Sequence, residues 1–412
     1  MLRASWICAV LAALLWLPAG SWGASPDLVL TVPPSLATLH LAVDLPQSSR
    51  VLTAGPGQLA EIGAPAAPIP VQGVPLPAGD GSVLNKSNRL VADIPPRAGA
   101  TAPRRVRLEP AAASGAPQFR FVDLDEKSLK LFEGDKPVLV YNHGTITCPK
   151  VPAKDPRRSR ACYVHPLWGL GGEVLTDDFP ADHYHHHGIF WTWPHVGIDG
   201  EQYDLWADSG IAQRFVRWLD CEAGPVAAVL GVENGWFVGE KKVMVERVWL
   251  RVYRATKDER SIDLDFTWIP TDRAVTLRGA EEKSYGGLTV RFAVGKPAES
   301  VITVPGGPAK DDLPDTRLPW ADLTAKFAGA ARPSGAALFV PREHPDYPPT
   351  WLTRHYGAMC IGWPGVHGKT FPAGQPIRLS YRLWIHPSTA GTGQLEAAYA
   401  AYLTSTAVRW EP

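Results

Sequence analysis

The chain has 412 residues, and its 41 Lys and Arg residues balance its 41 Asp and Glu residues. A formal net charge of zero gives no electrostatic reason to expect nucleic acid or an anionic membrane as a partner. The 38 Gly and 40 Pro residues disfavour long helices and favour a turn-rich β protein.

The first 23 residues have the pattern of an export signal. Arg3 provides a positive start, an apolar run covers residues 6–17, and small residues precede a cut after Gly23. The apolar run is too short to span a bilayer comfortably, and no later stretch approaches a membrane helix. We therefore expect a periplasmic or secreted protein without a transmembrane segment in the mature chain; the alternative is an uncleaved amphipathic anchor. Export would permit a disulfide between Cys148 and Cys162.

The mature chain divides into two regions of different composition. Residues 24–115 are rich in Ala, Pro and Gly, and short runs such as 28–32 and 105–108 indicate a small β accessory domain. Within residues 116–412, segments such as 262–268 and 288–294 alternate apolar and polar side chains, as half-buried strands do. Many strands with short turns favour an all-β fold with one large antiparallel β-sandwich domain. A helix is predicted only at 394–404.

The last predicted strand, 377–385, carries unusual side chains on its non-core face. Arg382, Trp384 and His386 stand where a solvated strand would carry Lys, Glu or Thr. Two interpretations are open. The strand belongs to a concave sheet that holds a ligand, or a neighbouring loop packs over an ordinary edge.

The most distinctive segment is a run of histidines that begins directly after Asp182. Imidazole suits both proton transfer near neutral pH and binding of divalent metals. On a regular strand His183, His185 and His187 would share one face and form a metal site, with His165 or His386 as a distant ligand. Asp182 would orient an imidazole by accepting a hydrogen bond from the ring nitrogen that does not bind the metal.

A metal-free site is the alternative. One histidine would act as a general acid and another group, such as Glu281 or Glu282, as a base, while Trp191 offers a flat face for a sugar ring. The sequence contains no GxSxG, P-loop, HExxH or dinucleotide-binding glycine pattern. Serine hydrolases, ATPases, zincins and NAD enzymes are therefore disfavoured.

Several motifs together resemble one family, the secreted bacterial proteins labelled "methane oxygenase PmoA-like". The matching segments, over residues 118–390, are His165-Pro166-Leu167, Asp178-Phe179-Pro180, Asp182-His183-Tyr184-His185-His186, Gly188-Ile189-Phe190-Trp191, Trp206, Tyr285-Gly286-Gly287-Leu288, Arg291, His344-Pro345, Trp351, Tyr356-Gly357, Tyr381-Arg382 and His386-Pro387. The label itself is misleading, because methane oxygenase subunits lie in membranes and this chain has no candidate membrane helix after its first residues.

The resemblance implies a sandwich similar to galactose mutarotases, a supersandwich, and a role in carbohydrate processing. At the position of His187 the family often carries Arg. The resemblance therefore favours His183, His185 and His186 as the group that acts together, which would require a loop or bulge instead of a regular strand.

We therefore expect an exported carbohydrate-active enzyme, a hydrolase, lyase or epimerase, with or without one divalent metal ion. The predicted catalytic residues are Asp182, His165, His183, His185, His186 and His386. The predicted substrate-binding residues are Trp191, Tyr285, Arg291, His344 and Arg382. The histidines of the catalytic set should converge in one cleft. The rival hypotheses are a glycan-binding protein without catalysis and, third, a copper or other redox protein.

Overall fold

The computed structural model describes residues 28–46, 56–64, 66–97, 99, 101–112 and 115–411. The predicted export signal, residues 1–23, lies outside the described residues. Within the described residues no helix combines the length and the apolar character that crossing a membrane requires.

The first six strands form one antiparallel sheet, the N-terminal sheet, in the order β1-β6-β3-β4-β5-β2. Its strands are β1 (Val29–Val32), β2 (Leu39–Asp44), β3 (Gly57–Glu61), β4 (Ile69–Pro77), β5 (Val83–Ile94) and β6 (Arg104–Pro110). The strands predicted at 28–32 and 105–108 are confirmed as β1 and β6. Leu30, Leu41 and Val106 are buried on one face of this sheet, where they pack with Ala401 of the C-terminal helix.

The remaining elements are mainly strands. The next nine are β7 (Phe119–Asp123), β8 (Ser128–Glu133), β9 (Lys136–Asn142), β10 (Ile146–Thr147), β11 (Ser159–Arg160), β12 (Tyr163–Leu167), β13 (Ile189–Thr192), β14 (His195–Ile198) and β15 (Glu201–Tyr203). The last fifteen are β16 (Ala212–Ala223), β17 (Ala227–Val238), β18 (Lys241–Tyr253), β19 (Arg260–Pro270), β20 (Val275–Arg278), β21 (Gly287–Arg291), β22 (Val301–Val304), β23 (Gly307–Ala309), β24 (Leu313–Arg317), β25 (Trp320–Ala325), β26 (Ser334–Phe339), β27 (Thr350–Arg354), β28 (Ala358–Gly362), β29 (Lys369–Phe371) and β30 (Ile377–His386). The predicted helix is confirmed as α1 (Thr392–Ala407).

Two nine-stranded antiparallel sheets pack face to face. The front sheet has the order β24-β27-β28-β21-β13-β12-β9-β8-β7, and the back sheet has the order β16-β17-β18-β19-β30-β26-β25-β22-β23. Alternate side chains, such as Leu288 and Val290 in front and Leu383 and Ile385 behind, meet in one core between the sheets. The predicted all-β antiparallel sandwich is confirmed.

Two small sheets, β15-β14-β20-β29 and β10-β11, extend the sandwich. Cys148 directly follows β10, and Cys162 lies two residues after β11. Both cysteines are free thiols in the structure, so no disulfide joins them.

The outer face of β30 is covered by other parts of the chain. Trp384 packs with Leu395 and Tyr399 of α1, and His386 Nε2 lies 2.8 Å from Asp322 Oδ1 with no exposed surface. Trp384 and His386 therefore do not face a ligand cleft. Arg382, on the same face, lines a cavity of about 330 Å³ together with His40 and Tyr402. The covering element is a helix together with the N-terminal sheet, instead of the predicted loop.

Arg382 joins three parts of the fold at one buried point. Its Nε donates to Asp263 Oδ1 at 2.6 Å, and its Nη2 donates to Asp263 Oδ2 at 3.0 Å. Nη2 also donates to the backbone oxygen of His40 at 3.2 Å, and Nη1 reaches Ser405 Oγ of α1 at 3.5 Å. Arg382 therefore ties the back sheet to the N-terminal sheet and to α1, and its role in binding a sugar stays a prediction.

We expect Arg382→Met to lower the free energy of unfolding by about 3 kcal/mol. This is the low end of the roughly 3–5 kcal/mol lost when a buried ion pair keeps one partner, because Arg251 still pairs with Asp263 at 2.9 Å. Urea unfolding measures the loss. Arg378→Met, an exposed site four residues away on the same strand, is the matched control. Equal losses in the two variants would contradict this role.

His40 makes the same junction sensitive to pH. Burial opposes protonation of His40, but Asp93, 2.6 Å from Nδ1, outweighs that effect together with Glu259, and the pKa of His40 rises from 6.5 to about 9. Because the folded protein holds this proton more tightly, the stabilisation is complete below pH 6.5 and is lost as the pH rises through about 9.

We therefore expect the stability advantage of the native protein over His40→Gln to shrink between pH 6.5 and 9. The glutamine keeps a polar side chain but cannot carry the charge. Urea unfolding of both proteins across this range measures the difference. A difference that stays constant with pH would contradict the expectation.

Candidate active site

The histidine run folds as two consecutive turns instead of a strand. The backbone N–H of His183 donates to Pro180 O at 2.9 Å, and that of His186 donates to His183 O at 2.9 Å. Gly188 directly precedes β13 and has a φ of 22°, and a Cβ atom there would lie 2.0 Å from Val164 O. Because the segment turns, its side chains do not alternate between two faces of a sheet.

The turns bring three imidazoles together. The rings of His183 and His186 stack with centroids 4.6 Å apart and planes 7° apart. His185 meets both rings edge-on, at 5.6 Å from His183 and 4.8 Å from His186. On its other side His183 stacks on Tyr356 at 5.1 Å. The grouping of His183, His185 and His186 in a loop, which the family resemblance implied, is confirmed.

A buried arginine on the front sheet holds this cluster in place. Arg291 Nη2, at the end of β21, donates to both carboxylate oxygens of Asp182 at 3.0 Å. Its Nη1 lies 3.3 Å from His186 Nδ1, and its guanidinium lies 4.7 Å from the centroid of the Tyr356 ring. Arginine can only donate, so His186 Nδ1 is an acceptor and the neutral ring carries its proton on Nε2. Arg291 was predicted to bind substrate, but its contacts with Asp182 and His186 give it a supporting role.

Asp182 also approaches the first histidine. Its Oδ2 lies 2.9 Å from His183 Nδ1, although the approach is not in line with a hydrogen bond. The contact becomes an ion pair when the imidazole is protonated. Because Nδ1 faces Asp182, Nε2 is the nitrogen of His183 that remains for chemistry in the cleft.

The outer face of the front sheet forms the floor of a cleft beside the cluster. Thr289 of β21 is in register with Cys360 of β28, and Cys360 is in register with Leu352 of β27. Burial raises the pKa of Cys360 to about 11, so it is a neutral thiol. Thr289 Oγ1 is buried beside Cys360, so the floor has two neutral polar groups.

Aromatic and cationic side chains complete the cleft, which has a volume of about 220 Å³. Trp206 packs on Tyr285 with ring centroids 4.7 Å apart. The remaining lining residues that bear on its chemistry are His183, His185, His186, Tyr356, Lys283 and Arg354. Tyr285, which was predicted to bind substrate, lies in this lining.

Burial keeps two of the three imidazoles neutral. The pKa of His185 falls to about 4, first because burial penalises the charged ring and then because His183 and Arg157 are nearby positive groups. Burial likewise holds the pKa of His186 well below its ordinary value. Burial disfavours ionisation of Asp182, but His183 and Arg291 outweigh it and lower the carboxyl pKa. The site thus combines an ionised carboxylate, Asp182, with the neutral rings of His185 and His186.

His187 and His165 lie outside the cleft lining. His187 is buried against Phe179, and its Nδ1 lies 2.8 Å from Asp178 Oδ1. His165 Nδ1 lies 3.0 Å from Thr176 Oγ1. Both predictions are wrong, because the turns direct His187 away from its neighbours and strand β12 directs His165 to the segment around Thr176.

The predicted metal site at His183, His185 and His187 is not formed. His187 is separated from the cluster, and the parallel stack of His183 on His186 places their nitrogens in different planes instead of aiming them at one point. Among the described residues no three His, Cys, Asp or Glu side chains are arranged to hold a metal ion.

Three further predicted site residues lie elsewhere. Trp191 has no exposed surface and packs between the sheets, 4.9 Å from Phe266. His344 is buried with its Nε2 3.3 Å from the hydroxyl of Tyr381, a core residue. His386 lies on the outer face of the back sheet, whereas the cleft lies on the outer face of the front sheet. The predicted convergence of His165 and His386 with the cluster is therefore wrong.

Four cleft residues have no assigned role in the sequence predictions. Trp206 and Tyr356 occur only in the segments of family resemblance, and Lys283 and Arg354 occur in none of the predicted motifs. The direction of Arg354 can be predicted, because Leu352 and Arg354 share one face of an extended segment whose other face carries Trp351.

The fold and the cleft define an all-β sandwich protein with a histidine-lined site. Residues 128–400, more than half of the chain, match the model of a family of unknown function (DUF6807), so the chain belongs to this family. The family description carries no activity, and the resemblance to PmoA-like proteins stays a prediction. A comparison with curated proteins finds no match.

Two solved structures are distantly similar. One is the galactose mutarotase related enzyme from Lactobacillus acidophilus, with 7% identity, a TM-score of 0.32 and coverage of 66% of this chain and 99% of that chain. The other is the "Putative kojibiose phosphorylase from human microbiome", with 9% identity, a TM-score of 0.29 and coverage of 68% and 32%. Likenesses this distant give no information about function.

We expect His185 to stay neutral far below the ordinary histidine pKa of 6.5, with a titration midpoint near pH 4. Burial beside two other imidazoles and Arg157 causes the shift. Nuclear magnetic resonance of histidine-labelled protein measures the midpoint, and the spectrum of His185→Asn assigns the signal. A midpoint at or above 6.5 would show that the ring is solvated and the cluster open.

Proposed function

We propose that this protein is an exported carbohydrate-active enzyme that transfers a proton to or from a sugar bound in the histidine cleft. The observation that carries the proposal is the pairing of Asp182 with His183 at the edge of that cleft. A carboxylate fixes the orientation of the imidazole and stabilises its protonated form, which suits a general acid or base.

The shape and lining of the cleft support a sugar as the ligand. At about 220 Å³ it is smaller than the roughly 300 Å³ at which pockets for drug-sized ligands begin, so it suits one small ring. Trp206, Tyr285 and Tyr356 offer apolar faces with polar ends, which match the two faces and the hydroxyl edge of a sugar.

The side chains that line the cleft favour some classes of sugar reaction over others. Most glycoside hydrolases use two carboxylates that flank the scissile bond. No carboxylate is among the described residues that line this cleft. Proton transfer by an imidazole, as in a lyase or an epimerase, therefore fits these residues better than hydrolysis by a carboxylate pair.

A glycan-binding protein without catalysis is the second candidate. The aromatic groups would hold a sugar even if no histidine transferred a proton. Under this alternative Trp206 carries the affinity and His183 is dispensable. Export, for either candidate, rests on the signal pattern of residues 1–23.

We expect His183→Ala to lower turnover by at least about 10²-fold, the low end for loss of a general acid or base, while sugar affinity changes little. Turnover of neutral and uronate-containing oligosaccharides is measured from new reducing ends, unsaturated products and epimerised sugars. His195→Ala is the matched control, because His195 has similar exposure, 31% against 34%, and lies outside the cleft lining.

Two results would contradict the enzyme proposal. One is equal turnover by His183→Ala and His195→Ala. The other is that the native protein binds a sugar but turns over no sugar in the panel, while Trp206→Ala no longer binds it. The second result would establish the glycan-binding alternative.

A further inference from the structure

Two cationic side chains, Lys283 and Arg354, line the cleft opposite a set of neutral groups. The other described lining residues are histidines, aromatics, Thr289, Cys360 and small or aliphatic residues. The nearby carboxylate of Asp182 is already held by both oxygens on Arg291. The cleft therefore presents positive charge that its own lining does not neutralise.

Sheet register places Arg354 at the floor of the cleft. Arg354 of β27 is in register with Ala358 of β28, and Ala358 is in register with Arg291 of β21. Neighbouring strands lie about 4.8 Å apart, so the two arginines start about 10 Å apart, with the small side chain of Ala358 between them. Arg291 is occupied by Asp182, which leaves Arg354 as the arginine of this row that a ligand can reach.

Arg354 is only partly neutralised. Its Nη1 lies 3.4 Å from Asp312 Oδ2. The other oxygen of Asp312 accepts the backbone N–H of His355 at 2.8 Å and lies 2.8 Å from His355 Nδ1. A guanidinium has five N–H donors, and this single long contact uses one of them.

A constrained turn holds Lys283 at the rim. The residues on either side, Glu282 and Ser284, have φ angles of 62° and 54°, which non-glycine residues seldom adopt. Ser284 is buried, and its Oγ lies 2.5 Å from Thr350 Oγ1. Lys283 itself is exposed, and it forms no ion pair with any described residue. The turn thus presents a free ammonium group at the cleft.

We infer that the sugar bound in this cleft carries an anionic substituent, a carboxylate as in a uronic acid, that Lys283 and Arg354 bind together. The inference rests on the proposed function and adds the class of substrate. Charge-assisted hydrogen bonds from a guanidinium and an ammonium are the strongest that a protein offers to a carboxylate. They act here among neutral rings and apolar groups, where water screens them less.

The anion also suits the proposed chemistry. A carboxylate whose charge is neutralised by two cations acidifies the hydrogen on the adjacent carbon. When that C–H bond breaks, His183 Nε2 takes the proton and the electron pair moves into the carboxylate, where Lys283 and Arg354 stabilise the added charge. If a water molecule then gives a proton to the other face of the carbon, the electron pair returns from the carboxylate to that new C–H bond. His183 gives its proton back to the resulting hydroxide, and the sugar is epimerised.

The test is binding of matched sugars by the full-length protein, measured by calorimetry at low salt. The probes are the methyl glycosides of glucose, galactose and mannose, the corresponding uronic acids, and the 6-sulfated glycosides. In at least one series we expect the uronic acid to bind at least tenfold more tightly than its neutral partner. Lys283→Met and Arg354→Met should each remove most of this preference, and added salt should weaken it.

Two control variants are matched to these substitutions. Arg317→Met removes an arginine on the neighbouring strand β24 that also pairs with one aspartate, Asp346 at 3.1 Å. Lys257→Met removes an exposed lysine outside the cleft. Both should keep the preference for acidic sugars. Lys283 is exposed, so its variant tests the inference even if Arg354→Met disturbs the fold.

The outcomes separate this inference from the proposed function. Equal binding of acidic and neutral sugars in all three series, or no binding of any probe, would overturn the anion site. A preference for the sulfate esters would support the anion site and identify the substituent as sulfate. Binding that favours acids in both the native protein and His183→Ala, together with unchanged turnover in that variant, would support the anion site and reject the enzyme proposal.

Discussion

The candidate site depends on one buried interaction, the pairing of Arg291 with Asp182. Arg291 is fixed in the front sheet, whereas Asp182 belongs to the turns that carry the histidines. By holding both oxygens of Asp182 at 3.0 Å, the guanidinium attaches those turns to the sheet. The same guanidinium lies over the face of Tyr356 and donates to the Nδ1 atom of His186. The stacking order of Tyr356, His183 and His186 follows from these contacts.

The side chains of each front-sheet strand alternate between the two faces of the sheet, and this explains why a cleft can exist on a tightly packed sandwich. In β21 and β28, one set of side chains fills the core between the sheets, and the alternate set, including Thr289 and Cys360, faces outward. Substrate contacts can therefore change on the outer face without disturbing the core. The same alternation directs Arg354 to the outer face, where its side chain is partly buried beside Asp312.

The back sheet uses its outer face differently. Arg382, Trp384 and His386 are covered by α1 and by parts of the N-terminal sheet, and each finds a specific partner: Asp263, Glu259 and Asp322 respectively. Buried polar groups are tolerated only when they are paired in this way. Polar and aromatic side chains on a strand thus mark a covered surface as readily as a binding surface. The back sheet carries the covered surface, and the front sheet carries the proposed binding surface.

The local features of this protein can be predicted from its amino-acid sequence. Alternation at 262–268 and 377–385 predicted strands that the structure contains, and the density of histidines after Asp182 identified the segment that lines the cleft. Tertiary structure decided which side chains meet there. His187 and Trp191 belong to the same motifs as the cleft residues but point elsewhere, while Arg354 and Trp206 come from distant segments. The physical reason is that turn geometry and strand register set side-chain direction, and both depend on contacts between residues far apart in the chain, such as Asp182 with Arg291.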